Sequence, residues 1–312
     1  MNARLPALYL SLLCGAVSLS GCRCRGGGAD TQDASKESPG ALHLKDVEGL
    51  TPPTARTAEA LPVDAIAVYV SRTKLLLGDE LTEILPLSDP ASLAKDGIDR
   101  KYKPGDSHYV VLLADAIMAL RKQKGLGEWT PVAISMDASL PYAVLADVLV
   151  TLQRVRVDRY ALVVKGDRGA AAFQLSFAPR TSSPPPAPST SGSTKVAASA
   201  LQPASPDAPV YLGVRIDEQG YAVRVFGREL GAGCELGVGL PVPKRDAAYD
   251  PAGLAACVMK NKALAPSTHD DAVSITSLGS VDYQTVVQTL DAVRAAPDGK
   301  PLFPAVSFAI VH

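Results

Sequence analysis

Apolar and polar positions change period several times along the chain. Val132-Ala133-Ile134-Ser135 alternates as a half-buried strand does. The residues that follow, Val144, Leu145, Val148, Leu149 and Leu152, recur at the spacing of one helix face. The same succession returns in the last third of the chain. There Val273-Ser274-Ile275-Thr276 alternates and Val286, Val287, Leu290 and Val293 form the stripe. At a constant offset of 141 positions, Ile134 meets Ile275, Ser139 meets Ser280, Tyr142 meets Tyr283 and Leu149 meets Leu290. Ser139 and Ser280 stand where helix starts are expected, and Pro141 suits a first helical turn. An apolar strand is predicted after each helix, over 160–164 and 305–311.

Each repeat of this pattern also opens on strands, over 65–70 and 74–77 in the first and over 210–216 and 221–226 in the second. Asp217-Glu218-Gln219-Gly220 between the last two is a hairpin-turn signal. Amphipathic helices fit 109–122 and 251–260. The order strand, strand, helix, strand, helix, strand predicts an α+β fold. Two small tandem domains are expected, each a mixed sheet with two helices on one face. The alternative is a pair of unrelated α+β domains that share a common pattern.

Composition supplies the boundaries. Residues 22–61 are rich in Gly, Ser, Thr, Asp and Pro, which predicts a disordered tether. Residues 179–208, with Ser182-Ser183-Pro184-Pro185-Pro186-Ala187-Pro188, read as a Pro/Ser/Ala-rich linker. The domains are then expected at 62–178 and 209–312. Residues 1–21 read as an export signal: Arg4 gives a positive start, and an uncharged apolar run from Leu5 to Leu19 is too short to span a bilayer. Leu19-Ser20-Gly21-Cys22 resembles the bacterial lipobox. That resemblance implies lipid on the Cys22 thiol, cleavage just before it, and a mature protein anchored to the membrane. The alternative is ordinary secretory cleavage near Ser20 or Gly21, with Cys22 incidental. Arg23 after the lipidated position resembles lipoproteins sorted to the outer membrane, facing the periplasm.

The charge is balanced, with 31 Lys+Arg against 32 Asp+Glu, so nucleic acid is not expected as a partner. Of five cysteines, Cys14 leaves with the signal and Cys24 lies in the tether. Cys234 and Cys257 remain, and an exported protein meets an oxidising compartment, so a disulfide between them is plausible. Two separately buried thiols are the alternative. No CxxC and no nearby histidine suggests a metal site, and no cofactor motif is present. His269-Asp270-Asp271 reads as a solvated turn, the Gly-rich run 231–239 as a loop, and no serine sits in a G-x-S-x-G elbow. His43, His108 and His312 join no constellation in the sequence. Asp137 and Asp291 read as turn and surface-helix residues, Tyr142 and Tyr283 as core residues, and Trp129 as a possible anchor for a partner. Arg154, Arg156 and Arg159 read as a solvated helix end, with contact to an acidic partner or glycan as the alternative. No catalytic residue is assigned.

Val273-Ser274-Ile275, the helix Tyr283-Gln284-Thr285-Val286-Val287-Gln288-Thr289-Leu290-Asp291-Ala292-Val293-Arg294 and the strand Leu302-Phe303-Pro304-Ala305-Val306-Ser307-Phe308 together resemble the periplasmic domain of the ExbD/TolR biopolymer-transport family. Ile134-Ser135-Met136-Asp137 and Tyr142 carry the same pattern in the first half, with Leu278 where Asp137 aligns. The resemblance implies the fold, a habit of dimerising, and contacts with envelope proteins or peptidoglycan. Members of that family carry a transmembrane helix with a working carboxylate, and here a signal and lipobox stand in its place. The proton-driven role is therefore not implied. The expected function is a non-enzymatic envelope lipoprotein that presents two such domains, accessory to a transport-like system. An envelope binding or assembly protein unrelated to transport is the alternative, and a periplasmic hydrolase a minor one.

Overall fold

The computed structural model describes residues 42, 44–105, 107–177, 211–225, 228–229, 234, 242–263, 272–303 and 305–309. Cys22, the stretch 179–208 and His43, His269 and His312 lie outside them. All described residues fall within one compact unit.

The first half runs β1 (Ile66–Val70), β2 (Lys74–Leu77), β3 (Thr82–Pro86), α1 (Pro90–Asp96), a 3-10 turn (Arg100–Tyr102), α2 (Val111–Lys124), β4 (Val132–Met136), α3 (Tyr142–Arg154), β5 (Arg159–Gly166) and β6 (Gly169–Ser176). The second half runs β7 (Tyr211–Asp217), β8 (Gly220–Val225), β9 (Arg228–Glu229), β10 (Val242–Pro243), α4 (Pro251–Ala263), β11 (Ala272–Ser277), α5 (Tyr283–Arg294) and β12 (Ala305–Phe308). The described residues thus form a mixed α/β structure with two mixed sheets and five α-helices.

The sheets follow the orders β3-β2-β1-β4-β5-β6 and β10-β8-β7-β11-β12, with β9 also on β8. In the first, β4 lies parallel between β1 and β5, and β2 runs antiparallel to β1. In the second, β11 lies parallel between β7 and β12, and β8 runs antiparallel to β7. Ile134 faces Val68 and Leu162, while Ile275 faces Val214 and Phe308. The offset of 141 extends to α2 and α4: Leu113, Ala114 and Ile117 are buried, as are Leu254, Ala255 and Val258. The predicted turn at 217–220 closes β7 on β8.

One continuous apolar core joins the halves. Where they meet, the turns that precede α3 and α5 pair with each other. Tyr142 N–H donates to Val281 O at 2.7 Å, and Tyr283 N–H to Leu140 O at 2.8 Å. Ala143 N–H reaches Gly279 O at 3.1 Å, and Gln284 N–H reaches Ala138 O at 3.0 Å. Every bond has its counterpart at the same offset, so the two halves are locally reciprocal. The first N–H groups of a helix lack intrahelical acceptors, and here each helix takes them from the other half. This explains why Ser139 is not a cap. The cap of α3 is Pro141, with no side-chain bond, and the Ser139 hydroxyl instead donates to Asp137. On α5 the cap is Asp282, not Ser280, and its carboxylate accepts Thr285 N–H at 2.7 Å.

The structure also corrects the tether. Residues 44–61 do not continue as a disordered segment but wrap the first sheet. Leu42, Leu44, Val47 and Leu50 pack on the face opposite the helices, against Ala67, Tyr69, Leu76, Ala133, Ala161 and Val163. The chain then rounds the far end of the sheet, where Arg72 N–H donates to Gly49 O. It returns down the outer edge of β6, exchanging both backbone bonds between Glu59 and Ala172 at 2.8 Å. The scarcity of large apolar residues in this stretch conceals the wrapping, because a few leucines suffice to cover a sheet face of small residues. Two helices per sheet is corrected as well, since the first half has three. Asp89-Pro90 and Gly97 bracket α1 as an acidic N-cap, a first-turn proline and a C-terminal glycine, a signal easily masked in so short a segment.

Cys234 and Cys257 lie at disulfide distance, with Cα atoms 5.3 Å apart and a sequence separation of 23. A cross-link over a loop of this size contributes roughly 3 kcal/mol. Replacement of both cysteines by serine is expected to lower the thermal midpoint, and reductant to do the same to the unaltered protein, as followed by circular dichroism. A second expectation concerns Tyr142, Tyr160 and Tyr283, whose hydroxyls burial pushes well above the ordinary tyrosine value of 10.0. A raised acid stays neutral in the folded state while its unfolded counterpart ionises, so stability is full below about pH 10 and declines above it. The slope is roughly 1.4 kcal/mol per pH unit for each tyrosine. Among the described residues, the Tyr283 hydroxyl is buried without a partner. Tyr283→Phe is therefore expected to leave neutral-pH stability unchanged or higher and to shallow the alkaline slope in a pH-resolved denaturation series.

Candidate functional site: a strapped junction and a buried charged latch

Two groups of polar side chains are built into the fold. The first belongs to the wrapping strap. Asp137, at the end of β4, accepts Thr51 N–H at 2.7 Å and Ser139 N–H at 3.1 Å. Gln284, in the first turn of α5, accepts Thr54 N–H at 2.9 Å and donates back to Thr54 O at 3.1 Å. Asp291, two turns further along α5, accepts Arg56 N–H at 2.8 Å, Thr57 N–H at 3.0 Å and the Thr57 hydroxyl at 2.6 Å. Arg294 completes the row with an ion pair to Glu59 at 2.6 Å. Ala55 N–H and Lys165 N–H bond the chain to the end of β5 on the other side. The strap is therefore held between the β5–β6 hairpin of the first half and one face of α5 in the second.

The sequence places Asp291 on a helix surface, yet it is buried. A buried carboxylate is costly unless hydrogen-bonded, and the strap supplies three such bonds. Asp137 is a turn residue, as expected, and is also buried. The two carboxylates grip different parts of the strap and do not form an acid/base pair. Beside Asp291 lies a cleft of about 610 Å³, lined among others by Arg56, Lys165, Asp167, Ala255 and Gln288. It presents both signs of charge, and no nucleophile–base pair lines it.

The second group is not legible in the sequence as a constellation. Asp147 projects from α3 into a fully buried position. One carboxylate oxygen accepts Ile98 N–H at 2.7 Å and the Lys103 ammonium at 3.1 Å, and the other meets His108 Nδ1 at 2.6 Å. The Lys103 ammonium also donates to Asp96 O at 2.7 Å, and its side chain is 5% exposed. Gly97 is required here. Its φ is +68°, and a Cβ would stand 2.3 Å from the Asp147 carboxylate. The arrangement latches the loop between α1 and α2 onto α3. It orients an imidazole by a carboxylate, as general-base sites do. Here, however, the carboxylate is shared with an ammonium and a backbone N–H, so its charge serves to hold the loop. The signal in the sequence is a carboxylate at 147 within the apolar stripe of 144, 148 and 152. Its partners, 39–49 positions away, give no local sign.

The remaining candidates divide as follows. Tyr142 and Tyr283 are core residues. Trp129 is 71% exposed, and Arg154, Arg156 and Arg159 are exposed. Among the described residues, no three His, Cys, Asp or Glu side chains converge to hold a metal ion, and no helix is long and apolar enough to cross a membrane.

The two groups predict different phenotypes. Asp147→Ala leaves the Lys103 ammonium buried without its counter-charge and is expected to destabilise the whole fold by about 3–5 kcal/mol in chemical denaturation. Asp291→Ala is expected to cost less, about 1–3 kcal/mol. Its effect should be local, with hydrogen exchange accelerating over 51–60 while the centres of β4 and β11 keep their protection. Comparison of the chain with protein-family models, with curated proteins and with solved structures returned no match.

Proposed function

We propose that this protein is a non-enzymatic lipoprotein of the bacterial envelope, anchored by lipid on Cys22, that presents a two-half α+β body to envelope proteins or peptidoglycan. The observation that carries the reading is the strap. The chain that leads on from the proposed anchor is bonded to Asp137 in the first half and to Gln284, Asp291 and Arg294 in the second. An anchor on Cys22 thus acts on both sheets together, which suits a body displayed in a fixed orientation. Export to an oxidising compartment accords with the Cys234–Cys257 pair.

The halves are proposed to be tandem copies of one ExbD/TolR-like unit. Three observations support this: equivalent strands with the same senses, buried positions that repeat at an offset of 141, and reciprocal bonds between the turns before α3 and α5. In this reading the second half occupies the place of a dimer partner, and the outer membrane facing the periplasm is the proposed location.

Mass spectrometry of the mature protein should find an acylated N-terminal Cys22, and Cys22→Ser should move the protein from the membrane to the soluble fraction. An unmodified mature N-terminus elsewhere would overturn the anchor. Cross-linking in cells followed by mass spectrometry should recover envelope proteins or muropeptides on the folded body. Recovery of neither would overturn the display role.

A further inference from the structure

One end of the first sheet carries an apolar surface beside three exposed arginines, which the proposed function leaves unused. Strands β1, β4 and β5 are parallel, and Ile66, Val132 and Tyr160 stand side by side in register. The loops that lead into these strands therefore gather at one end. Val63, before β1, is 55% exposed, and Trp129, before β4, is the most exposed large apolar side chain among the described residues, at 71%. Pro131 lies between them, and a recess of about 470 Å³ there is lined by Leu61, Val63, Pro131 and Arg159. An indole this exposed on a folded surface gains from an apolar–polar boundary, where its ring is buried and its N–H stays wet.

The surface is held rigid from below. Arg121, buried near the end of α2, donates to Val155 O at 2.9 Å and to Glu128 O at 3.0 Å. One guanidinium thereby fixes the Trp129 loop to the turn between α3 and β5. Arg156 lies in that turn, between Arg154 at the end of α3 and Arg159 at the start of β5, and all three are exposed. Arg156 has a φ of +59°, at the helix-ending position where glycine is the usual residue. Arginine there carries backbone strain that glycine would not, so its presence points to a use for the side chain. The acids of this end are Glu128 and Asp158 beside the arginines, with Asp64, Asp79 and Glu80 towards β2, where Asp79 is paired with Lys124 at 2.7 Å.

The chain itself indicates what covers this surface. Leu42 and Lys45 line a recess with Asp64, Gly78 and Lys124, so the strap enters the body at this same end. Leu42 is only 20 positions past Cys22. Fully extended, that stretch reaches no more than about 70 Å. On the lipid-anchor reading, the bilayer is within reach of this end.

We infer that the Val63–Trp129–Pro131 surface, with Arg154, Arg156 and Arg159, docks on an anionic phospholipid bilayer, with the indole at the headgroup level and the guanidiniums on lipid phosphates. Trp129 is the only tryptophan of the chain, which makes it a direct reporter. The test uses the full mature chain with Cys22→Ser, so that no acyl chain contributes, titrated to millimolar lipid with vesicles of phosphatidylglycerol and phosphatidylethanolamine or of phosphatidylcholine alone. The anionic vesicles should shift the emission to the blue and sediment the protein, and the zwitterionic ones should do neither. Trp129→Ala should weaken co-sedimentation about tenfold, and Arg154→Gln, Arg156→Gln and Arg159→Gln together by about two orders of magnitude. Arg156→Gly is the folding control: it should weaken binding while the thermal midpoint stays or rises. An emission spectrum unmoved by anionic vesicles, or moved equally by both kinds, would overturn the inference. The vesicle result stands apart from acylation at Cys22, so the docking surface and the anchor can fail independently.

Discussion

The reciprocal pairing of two turns is the constraint on which the rest of the structure depends. Each helix after the central strand begins with N–H groups that its own turn cannot satisfy, and each takes carbonyls from the turn opposite. Because the acceptors are backbone atoms, the contact fixes position as well as proximity. It brings Leu140, Tyr142, Val281 and Tyr283 into one buried seam, with Tyr142 against Phe308 at 6.2 Å between ring centres. Once the seam is set, the face of α5 that carries Gln284 and Asp291 comes to lie beside the β5–β6 hairpin, and a slot for the strap exists. The slot in which the strap lies is therefore formed by the junction.

The halves are alike in plan and unlike in finish. The first has β6, α1 and a latched loop that the second lacks among the described residues. Its sheet is covered on the face away from the helices by the N-terminal chain, which meets alanines and Tyr69 there. The corresponding face of the second sheet carries Gly213, Arg215, Ser274 and Thr276, with Arg215 paired to Asp217 at 3.2 Å. Small residues invite another layer of chain, whereas paired charges are at home in water.

Much of the frame is legible in the sequence. Period-two and helical stripes locate β1, β2, β4, β5, β7, β8, β11 and four of the five helices, because each turns a regular apolar face to the core. The 141-position offset is legible for the same reason. What the sequence hides is whatever is stabilised by distant partners. The strap has no periodicity of its own, and its clasps on Asp137, Gln284 and Asp291 are 86 to 235 positions away. Asp291 looks like a surface residue because the strap that buries it is not on α5. Asp147 stands out only as a charge in an apolar stripe, and what neutralises it comes from a loop with no regular pattern.

The strap has a consequence for the order of assembly. Its bonds to Gln284 and Asp291 join residues 230 to 235 positions apart, so they close the longest loops in the described fold. The loop-closure entropy of such contacts is offset only after the segments between them are in place. A chain synthesised N-terminus first presents the strap at once and its clasp on α5 almost last. The segment that encircles the first sheet must therefore wait, open, until the second half has folded, and its closure records that the whole body is complete.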